Sequence, residues 1–321
     1  MCSKKKPTVN QHIVPQAYLR RFATLTENKN YQIGVGIRKK DGRNFFATTQ
    51  SVKNVGFVKN VYEFDCRKDT PNYWENYFAE VIEPFCGTEL SNIISNIESS
   101  QNAAVVLSHE DKCNLSVFIC HQIFRSPQAL EKSIQIGQKS IERGKKEAQS
   151  MLKSSFPPFL HSLLLNALDN ADFSKDEIKD IFMQSMSDVN RQEERTNALL
   201  DKIWIVYQNT TQLQFITSDN PVCRKNCVTK SFSFEDNTLK DPNSLILFPL
   251  SPTILIEITP SHLLGSRAQY DGRKFLLGQN DLSFIAGADT LQILQCHRQV
   301  FMSLNMLQHL DELSKASKIN D

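Results

Sequence analysis

Two changes in hydrophobic period divide this chain of 321 residues into three blocks. Residues 31–49 hold two β-prone runs joined at Asp41-Gly42, a dipeptide that predicts a tight hairpin. From Pro71 to about residue 201, apolar residues recur at steps of three and four, which indicates helices. After Lys202 short β-prone runs return. The order predicts an α+β fold, with an N-terminal β-hairpin, a helical middle and a small C-terminal antiparallel sheet with a final helix.

Local signals predict further elements within these blocks. Pro15 suits the first position of a short helix from about Pro15 to Ala23, and Ser108 is expected to cap a longer one. The other expected elements are a strand near 61–64, helices after Phe156-Pro157-Pro158, from Lys175 to Asp201 and from Asp289 to Leu304, and antiparallel pairs of 203–207 with 212–217 and 245–250 with 253–258.

Composition excludes several classes of protein. With 40% hydrophobic and 22% charged residues, the chain is neither disordered nor collagen-like. No window approaches the ~18–20 consecutive apolar residues of a membrane span, and no apolar stretch follows the basic N-terminus, so neither a membrane partner nor a signal peptide is expected. We expect a cytoplasmic protein with reduced cysteines and no metal site. One domain is expected over 11–305 (helical middle 71–201, sheet region 202–305), with tails at 1–10 and 306–321.

Charge is distributed unevenly. Residues 1–60 carry twelve Lys or Arg and only two acidic residues, a net charge of +10, whereas the remainder carries −8. Such a field favours an anionic partner, with a nucleic acid or nucleotide as the leading candidate. Alternatively, the basic segment packs against the acidic remainder of its own chain. The oligomeric state leaves no mark in the sequence, and no cofactor is indicated.

The first candidate for chemistry is His12, four residues before Gln16 and ahead of Arg20 and Arg21. A histidine at a helix N-terminus is favoured in its neutral form, which can act as a general base. The alternative is a structural role, in which His12 caps its neighbour's backbone.

Two further candidates lie elsewhere in the chain. Gln122 and Arg125 are three residues apart near a helix end, on a stripe different from the apolar one, and the arginine could clamp a phosphate or carboxylate. Alternatively, Arg125 caps the helix or pairs with Glu75 or Glu83. Asp219 and Asn220 follow a predicted strand, where the aspartate could orient a histidine or simply form a turn before Pro221.

Sharper catalytic templates do not match. A Gly-rich phosphate loop followed by Lys-Ser/Thr is absent, as is a Gly-x-Ser-x-Gly elbow. His12-Ile-Val-Pro15 is superficially like a strand of HNH-type nucleases, but residue 11 is Gln and no downstream Asn…Cys-x-x-Cys-Asn block follows.

Five short blocks, in order, resemble the bacterial family called domain of unknown function 4238. They are His12-x-x-Pro-Gln-x-Tyr-Leu-Arg-x-Phe22, Ser51-Val-Lys-Asn-Val-Gly56 with Val61-Tyr62, Gln122-x-x-Arg125-x-Pro127, Phe215-Ile-Thr-Ser-Asp-Asn-Pro221 and Phe248-Pro-Leu-Ser-Pro252. The resemblance covers about residues 11–305. One departure is Asp289, where the family pattern has an Asn opening the last helix. The family name carries no activity, so the resemblance supports the choice of residues more than a reaction.

The candidate residues lead to three functional hypotheses. The first is a nuclease or related phosphodiester-cleaving enzyme, such as a toxin or antiphage effector, with His12 as base, Arg125 as clamp and Asp219 as orienter, and with Gln16, Arg20, Arg21, Gln122 and Asn220 binding substrate. The second is a sensor that binds nucleic acid or a nucleotide without turnover. The third is a protein-interaction module, in which the same residues form a buried polar network.

Overall fold

Two β-sheets and a helical middle make up the computed structural model, which describes residues 8–42, 44–155, 157, 160, 164–166, 168, 170, 173–232, 238–310 and 312. The strands are β1 (Asn10–His12), β2 (Thr24–Leu25), β3 (Tyr31–Arg38), β4 (Phe45–Ser51), β5 (Phe57–Lys59), β6 (Ile203–Asn209), β7 (Thr217–Ser218), β8 (Cys223–Asn226), β9 (Ser244–Ser251), β10 (Ile254–Thr259), β11 (Arg273–Leu277) and β12 (Gln299–Met302).

The helices are α1 (Gln16–Leu19), α2 (Tyr73–Tyr77), α3 (Glu83–Gly87), α4 (Glu89–Ser99), α5 (His109–Phe124), α6 (Pro127–Ser155), α7 (Lys175–Ser187), α8 (Val189–Leu200), α9 (Arg267–Tyr270) and α10 (Leu282–Gln295). A π-helical turn, Phe78–Ile82, joins α2 to α3. The mixed class is confirmed, with antiparallel strands first, helices in the middle, and a C-terminal sheet with the final helix α10.

The first sheet is assembled from both ends of the chain. The predicted hairpin is confirmed, because β3 pairs with β4 and Gly42 supplies the positive φ (72°) that its turn requires. On the other side of β3, residues Gly34–Ile37 pair with β12, which also pairs with β7. A separate two-stranded ladder, β1 with β5, lies beside the start of α1. The strand expected at 61–64 is wrong, since the pairing partner of β1 is Phe57–Lys59.

The second sheet has the strand order β11-β6-β10-β9-β8. The predicted pair of 245–250 with 253–258 is confirmed by β9 and β10. The predicted pair of 203–207 with 212–217 is wrong, because β6 pairs with β10 and, in parallel, with β11. Residues 212–217 instead cross towards the first sheet. There the Ile216 N–H donates to the Asp289 carboxylate at 3.0 Å, and Thr217 pairs with β12.

Helix boundaries follow caps where the sequence provides them. Ser108 begins α5 with a reciprocal capping box to Asp111, as predicted. The helix expected from Lys175 to Asp201 is interrupted at Asp188, whose side chain accepts from the Arg191 N–H and starts α8. The helix expected from Pro15 to Ala23 becomes α1 followed by a 3₁₀ turn.

The final helix was predicted seven residues too late, since α10 begins at Leu282 and the chain after Cys296 is extended. Residues 299–302 form β12 because they hydrogen-bond to strands on both sides. The predicted helix after residues 156–158, most of the tails and Arg43 lie outside the described residues, except for a few positions.

The main hydrophobic core joins the first segment, the helical middle and the second sheet. Tyr18 stacks on Phe248 of β9 with ring centroids 5.6 Å apart, and Phe118 of α5 packs against both rings. Helix α10 adds Ile285 to a cluster with β9 and β10, and Ile293 to a cluster with β12. No helix in the described part of the chain is both long enough and apolar enough to cross a membrane.

Candidate functional site

The end of helix α5 places two polar side chains in the protein interior. Gln122 and Arg125 are each only 1% exposed, although the sequence pattern placed them outside the apolar stripe. Arg125 is the residue at which α5 ends, and its backbone N–H donates to the carbonyl of His121. The hydroxyl of buried Tyr62 donates to the carbonyl of Arg125 at 2.8 Å, which holds this last turn in place.

The guanidinium of Arg125 is incompletely paired. Its carbon lies 4.1 Å from the ring centroid of Phe78, and Nη2 donates to the backbone carbonyl of His12. Nε and Nη1 are buried, and neither has a hydrogen-bond partner among the described residues. A buried cation with unsatisfied hydrogen-bond donors is costly. Buried groups of this kind in native proteins need an explanation, often a catalytic or ligand-binding role.

His12 ends β1 and lies next to this guanidinium. Its ring makes an edge contact with Phe57 at 5.9 Å between centroids, and its Nε2 is buried without a hydrogen-bond partner in the described structure. Burial and the positive charge of Arg125 lower the pKa of His12 to about 4. The imidazole is therefore neutral at pH 7, the state expected from the sequence, but burial and Arg125 are the causes instead of a helix dipole.

Glu75 of α2 is the residue that the sequence did not single out for chemistry. Its Oε2 is buried and has no hydrogen-bond partner among the described residues, while the backbone of His12 hydrogen-bonds the carboxyl group. Burial raises the pKa of Glu75, against the opposing charge of Arg125. An ion pair between Glu75 and Arg125 would be expected to include hydrogen bonds from the guanidinium to the carboxyl group. Among the described residues, however, Oε2 of Glu75 accepts none, and Nε and Nη1 of Arg125 donate none. Only the fold brings Glu75 here, since no local motif marks it.

We call His12, Glu75, Gln122 and Arg125 the polar cluster. Gln122 leaves both Oε1 and Nε2 buried without partners in the described residues. The cluster combines a cationic fork, a neutral imidazole, a protonatable carboxyl group and an amide. This set can hold an oxyanion and move a proton beside it. Only two of its members are metal-ligating types, and within the described residues no group of three or more His, Cys, Asp or Glu could hold a metal ion.

Asp219 hydrogen-bonds to backbone groups, and none of its hydrogen bonds among the described residues is with a residue of the polar cluster. Its carboxylate accepts hydrogen bonds from the N–H groups of His297, Arg298 and Gln299 at 2.7, 2.7 and 2.8 Å. The side chain of Gln299 accepts the N–H of Gly56, whose carbonyl accepts the N–H of Ile13 at 2.9 Å. Asp219 is thus connected, through strand β12 and Gly56, to the residue that follows His12.

The remaining predicted site residues lie in other surroundings. Arg21 donates to the Cys86 carbonyl and Ser91 hydroxyl at 2.8 and 2.9 Å, whereas exposed Arg20 lies over the Tyr31 ring at 5.4 Å. Gln16 is the half-buried first residue of α1. Asn220 donates to the Gln295 carbonyl at 3.1 Å and lines a separate cavity of about 320 Å³. Of the eight predicted residues, the structure therefore brings His12 and Arg125 into contact, and it buries Gln122 three positions before Arg125 on α5.

The basic N-terminal segment is partly internal and partly exposed. Arg21 and Arg38 bind backbone carbonyls of their own chain. Six other basic side chains are exposed and form no ion pair with any described residue: Arg20, Lys29, Lys39, Lys40, Lys53 and Lys59. Packing against acidic parts of the chain therefore does not account for most of the described positive charge in this segment.

Sequence comparison agrees with the family resemblance described above. The model of the family described as "Protein of unknown function (DUF4238)" matches residues 10–303, nearly the whole chain. The chain belongs to this family. No curated protein and no solved structure matches it significantly.

Proposed function

We propose that this chain is a phosphodiester-cleaving hydrolase, a nuclease or nucleotide-cleaving enzyme, whose site is the polar cluster. One observation carries the proposal. Arg125, 1% exposed, keeps two unpartnered nitrogens within the described structure, and its Nη2 donates to the backbone carbonyl of His12, whose own Nε2 is also unpartnered. A phosphate group supplies the charge and the acceptor oxygens that the guanidinium lacks.

Substrate binding rests on Arg125 and Gln122. Nε–H and the N–H groups of Nη1 lie in the guanidinium plane but point in different directions, so each can donate to a separate acceptor oxygen. The amide of Gln122, one helical turn earlier, adds a donor for a third oxygen. In a buried site these contacts also stabilise the additional charge of a pentacoordinate transition state.

In this proposal His12 is the general base and Glu75 is the general acid. A neutral imidazole takes a proton from water at Nε2 as the water oxygen bonds to phosphorus. The bond from phosphorus to the leaving oxygen breaks, and that oxygen receives the proton of Glu75, whose raised pKa favours the protonated acid. The products are an alcohol and a phosphate monoester, and the two side chains exchange the remaining proton with solvent.

Residues outside the polar cluster have supporting roles in this proposal. Asp219 acts as a positioning residue, because its three backbone contacts hold the segment that supports Gly56 and Ile13. The exposed lysines of residues 29–59 attract a polyanion. Cleavage of cellular RNA or DNA would make the protein toxic, as expected for a toxin or antiphage effector.

The burial of Arg125 and Gln122 also favours a second candidate function, a non-catalytic nucleotide sensor. Both side chains are 1% exposed, so a bound phosphate would be enclosed and would exchange slowly with solvent. This candidate predicts binding that weakens with salt and is not followed by turnover.

The test compares wild type with His12→Ala, Glu75→Gln and Arg125→Met on total RNA, plasmid DNA and a nucleotide panel, with Mg²⁺ and with EDTA. His262→Ala, a change of an exposed histidine outside the polar cluster, is the matched control. We expect cleavage by wild type and control and at least about a 100-fold loss in His12→Ala, the scale of a lost general base. Melting temperatures verify that each variant is folded.

Two results overturn the proposal. Undiminished cleavage by folded His12→Ala removes the assigned base, and absence of cleavage by wild type removes the enzyme. In the second case, nucleotide binding that Arg125→Met loses supports the sensor. Without binding either, the polar cluster is a structural network of an interaction module.

A further inference from the structure

A second cavity, of about 500 Å³, lies between α10 and the second sheet. Leu245 and Leu247 of β9 form one wall, and Phe284 and Leu291 of α10 form the other. The volume is in the range of small-molecule sites, which are mostly apolar with a few polar groups at defined places. Here the main polar groups are Glu257 and two lysines, and none belongs to the polar cluster.

Glu257 provides a carboxyl group among apolar side chains. It lies on β10 opposite Leu247, and the hydroxyls of Tyr207 and Thr259 hydrogen-bond to it. Burial raises the pKa of Glu257 to about 7. Each carboxylate oxygen accepts more than one hydrogen bond, so the group retains capacity for N–H donors of a ligand.

The positive charge of the cavity is separate from this carboxyl group. Lys225 of β8 pairs with Leu245, whereas Glu257 pairs with Leu247 from the other side of β9. The two side chains are therefore two strands apart and offset along β9. Lys230 also lines the cavity, and neither lysine is among the groups that shift the pKa of Glu257. Neither forms an ion pair with a described residue, although Lys230 donates to the Cys227 carbonyl.

We propose that this cavity binds a nucleotide, with the base between β9 and α10 and the phosphate at Lys225 and Lys230. The flat, weakly polar faces of a nucleobase fit against Phe284 and the leucines, and its N–H donors meet Glu257. The phosphate pairs with the lysines across the cavity. The inference does not depend on the proposed hydrolase, since it uses other residues.

Other ligand chemistries use only part of this arrangement. A fatty carboxylate satisfies the lysines but places methylene groups over Glu257. An apolar amine satisfies Glu257 and leaves its apolar end at the lysines. A base linked to phosphate satisfies both regions.

Two glycines allow a test that blocks the cavity without disturbing the packing. A Cβ at Gly287, which lines the cavity, meets no heavy atom within 4 Å, and the same holds for Gly144 on the exposed side of α6. A tryptophan at Gly287 projects into free space at the cavity, whereas Gly144→Trp gives the same chemical change elsewhere. Both replacements raise helix propensity.

Isothermal titration of wild type, Gly287→Trp, Gly144→Trp, Lys225→Ala and His12→Ala with four nucleoside monophosphates measures the binding. We expect wild type to bind at least one with Kd below about 1 mM. Gly287→Trp should bind at least about tenfold more weakly, and Lys225→Ala should bind more weakly with less dependence on salt. Gly144→Trp should match wild type, and weaker binding by Gly287→Trp, which leaves the polar cluster intact, separates this site from that cluster.

Three results overturn the inference. The first is the absence of nucleotide binding by wild type at about 5 mM, a concentration far above the Kd of a specific small-ligand site. The second is unchanged binding by Gly287→Trp. The third is an affinity for inorganic phosphate alone that equals the affinity for the nucleotide. Decanoate is the comparison ligand, and its binding without that of any nucleotide assigns the cavity to an amphipathic acid instead. Loss of cleavage in His12→Ala with nucleotide binding intact leaves both proposals standing, each at its own site.

Discussion

The hydroxyl group of Tyr18 lies 2.8 Å from Oγ1 of Thr217 and donates to the carbonyl oxygen of Pro249 at 2.6 Å. These residues belong to three different family blocks, and all three segments are buried at this point. We call such a contact between blocks a junction. A second junction is the hydrogen bond from the Tyr62 hydroxyl to the carbonyl of Arg125, which joins two further blocks. The family pattern thus marks the contacts that assemble the fold around the polar cluster.

Removing the Tyr18 hydroxyl should destabilise the protein. Tyr18→Phe leaves the Pro249 carbonyl and the Thr217 hydroxyl without this buried partner, at a cost of about 1–3 kcal/mol. Urea unfolding measures the change in the free energy of unfolding. The control is Tyr31→Phe, a half-buried ring for which no hydroxyl contact is found among the described residues. Equal stability of both variants would contradict the role of Tyr18 as a junction.

Replacing Arg125 with Met should separate stability from function. The change removes a buried charge with two unpaired nitrogens and keeps an unbranched chain of similar length over Phe78. Methionine loses the Nη2 hydrogen bond to the His12 carbonyl but also removes a buried charge with unsatisfied donors, so we expect a melting temperature close to that of wild type. Arg125→Ala should be lower, because it opens a cavity. A large decrease in Arg125→Met would indicate a structural network.

His121 should make stability depend on acid pH. Its ring is 1% exposed between the Val117 carbonyl (2.8 Å) and the Tyr77 hydroxyl (3.0 Å), and burial lowers its pKa to about 4. The unfolded chain titrates near 6.5 and therefore binds the proton first as pH falls. Stability should decline between about pH 6.5 and 4, by roughly 2–4 kcal/mol from this group alone.

Urea unfolding at pH 7.5 and 4.5 measures this effect. His121→Gln should show a smaller difference between the two pH values than wild type, since glutamine does not titrate. His262→Gln, a change of an exposed histidine, is the control. A difference as large in His121→Gln as in wild type would assign the acid sensitivity to other groups.

Asp289 should have the opposite pH dependence. It is fully buried in α10, Oδ1 accepts the Ile216 N–H, and Oδ2 has no hydrogen-bond partner among the described residues. Burial raises the pKa of Asp289 well above its usual value, so the folded state favours the neutral acid more strongly than the unfolded chain does. As pH rises above about 4 the unfolded chain ionises, and the stability contributed by the neutral acid is lost.

Asp289→Asn should therefore be more stable than wild type at pH 8 and similar to it at pH 3.5. Asparagine has the shape of the protonated acid and does not ionise. Thermal unfolding at both pH values measures the difference. Asp281→Asn serves as the control, because its carboxylate caps the Gly278 N–H and its loss should lower stability at pH 8. A lower melting temperature of Asp289→Asn at pH 8 would contradict the assigned protonation state.

Sequence reasoning succeeded where a few neighbouring residues decide the structure. The Asp41-Gly42 hairpin, the Ser108 cap and the β9–β10 pair all depend on local signals. It failed where distant segments compete for the same strand. Residues 299–302 read as helix because their alternative partners lie more than 80 and 250 residues away, in β7 and β3.

The candidate site was likewise predictable only where its residues lie in short sequence blocks. His12, Gln122 and Arg125 stood in recognisable blocks, although their burial and mutual contacts did not follow from the pattern. Glu75 lacks any such block and enters the polar cluster only because α2 packs next to β1. Asp219 stood in a block as well, but its three backbone contacts became visible only with the position of residues 297–299.

Strand β12 also sets an order of events during synthesis. It pairs with both β3 and β7, and its Gln299 supports Gly56 beside the His12 segment. A ribosome reaches these residues only after residues 1–298 have been made. Until then β3 lacks its pairing to β12, and contacts of high sequence separation cannot form. The support that Gln299 gives to Gly56, beside the His12 segment, therefore follows the synthesis of β12.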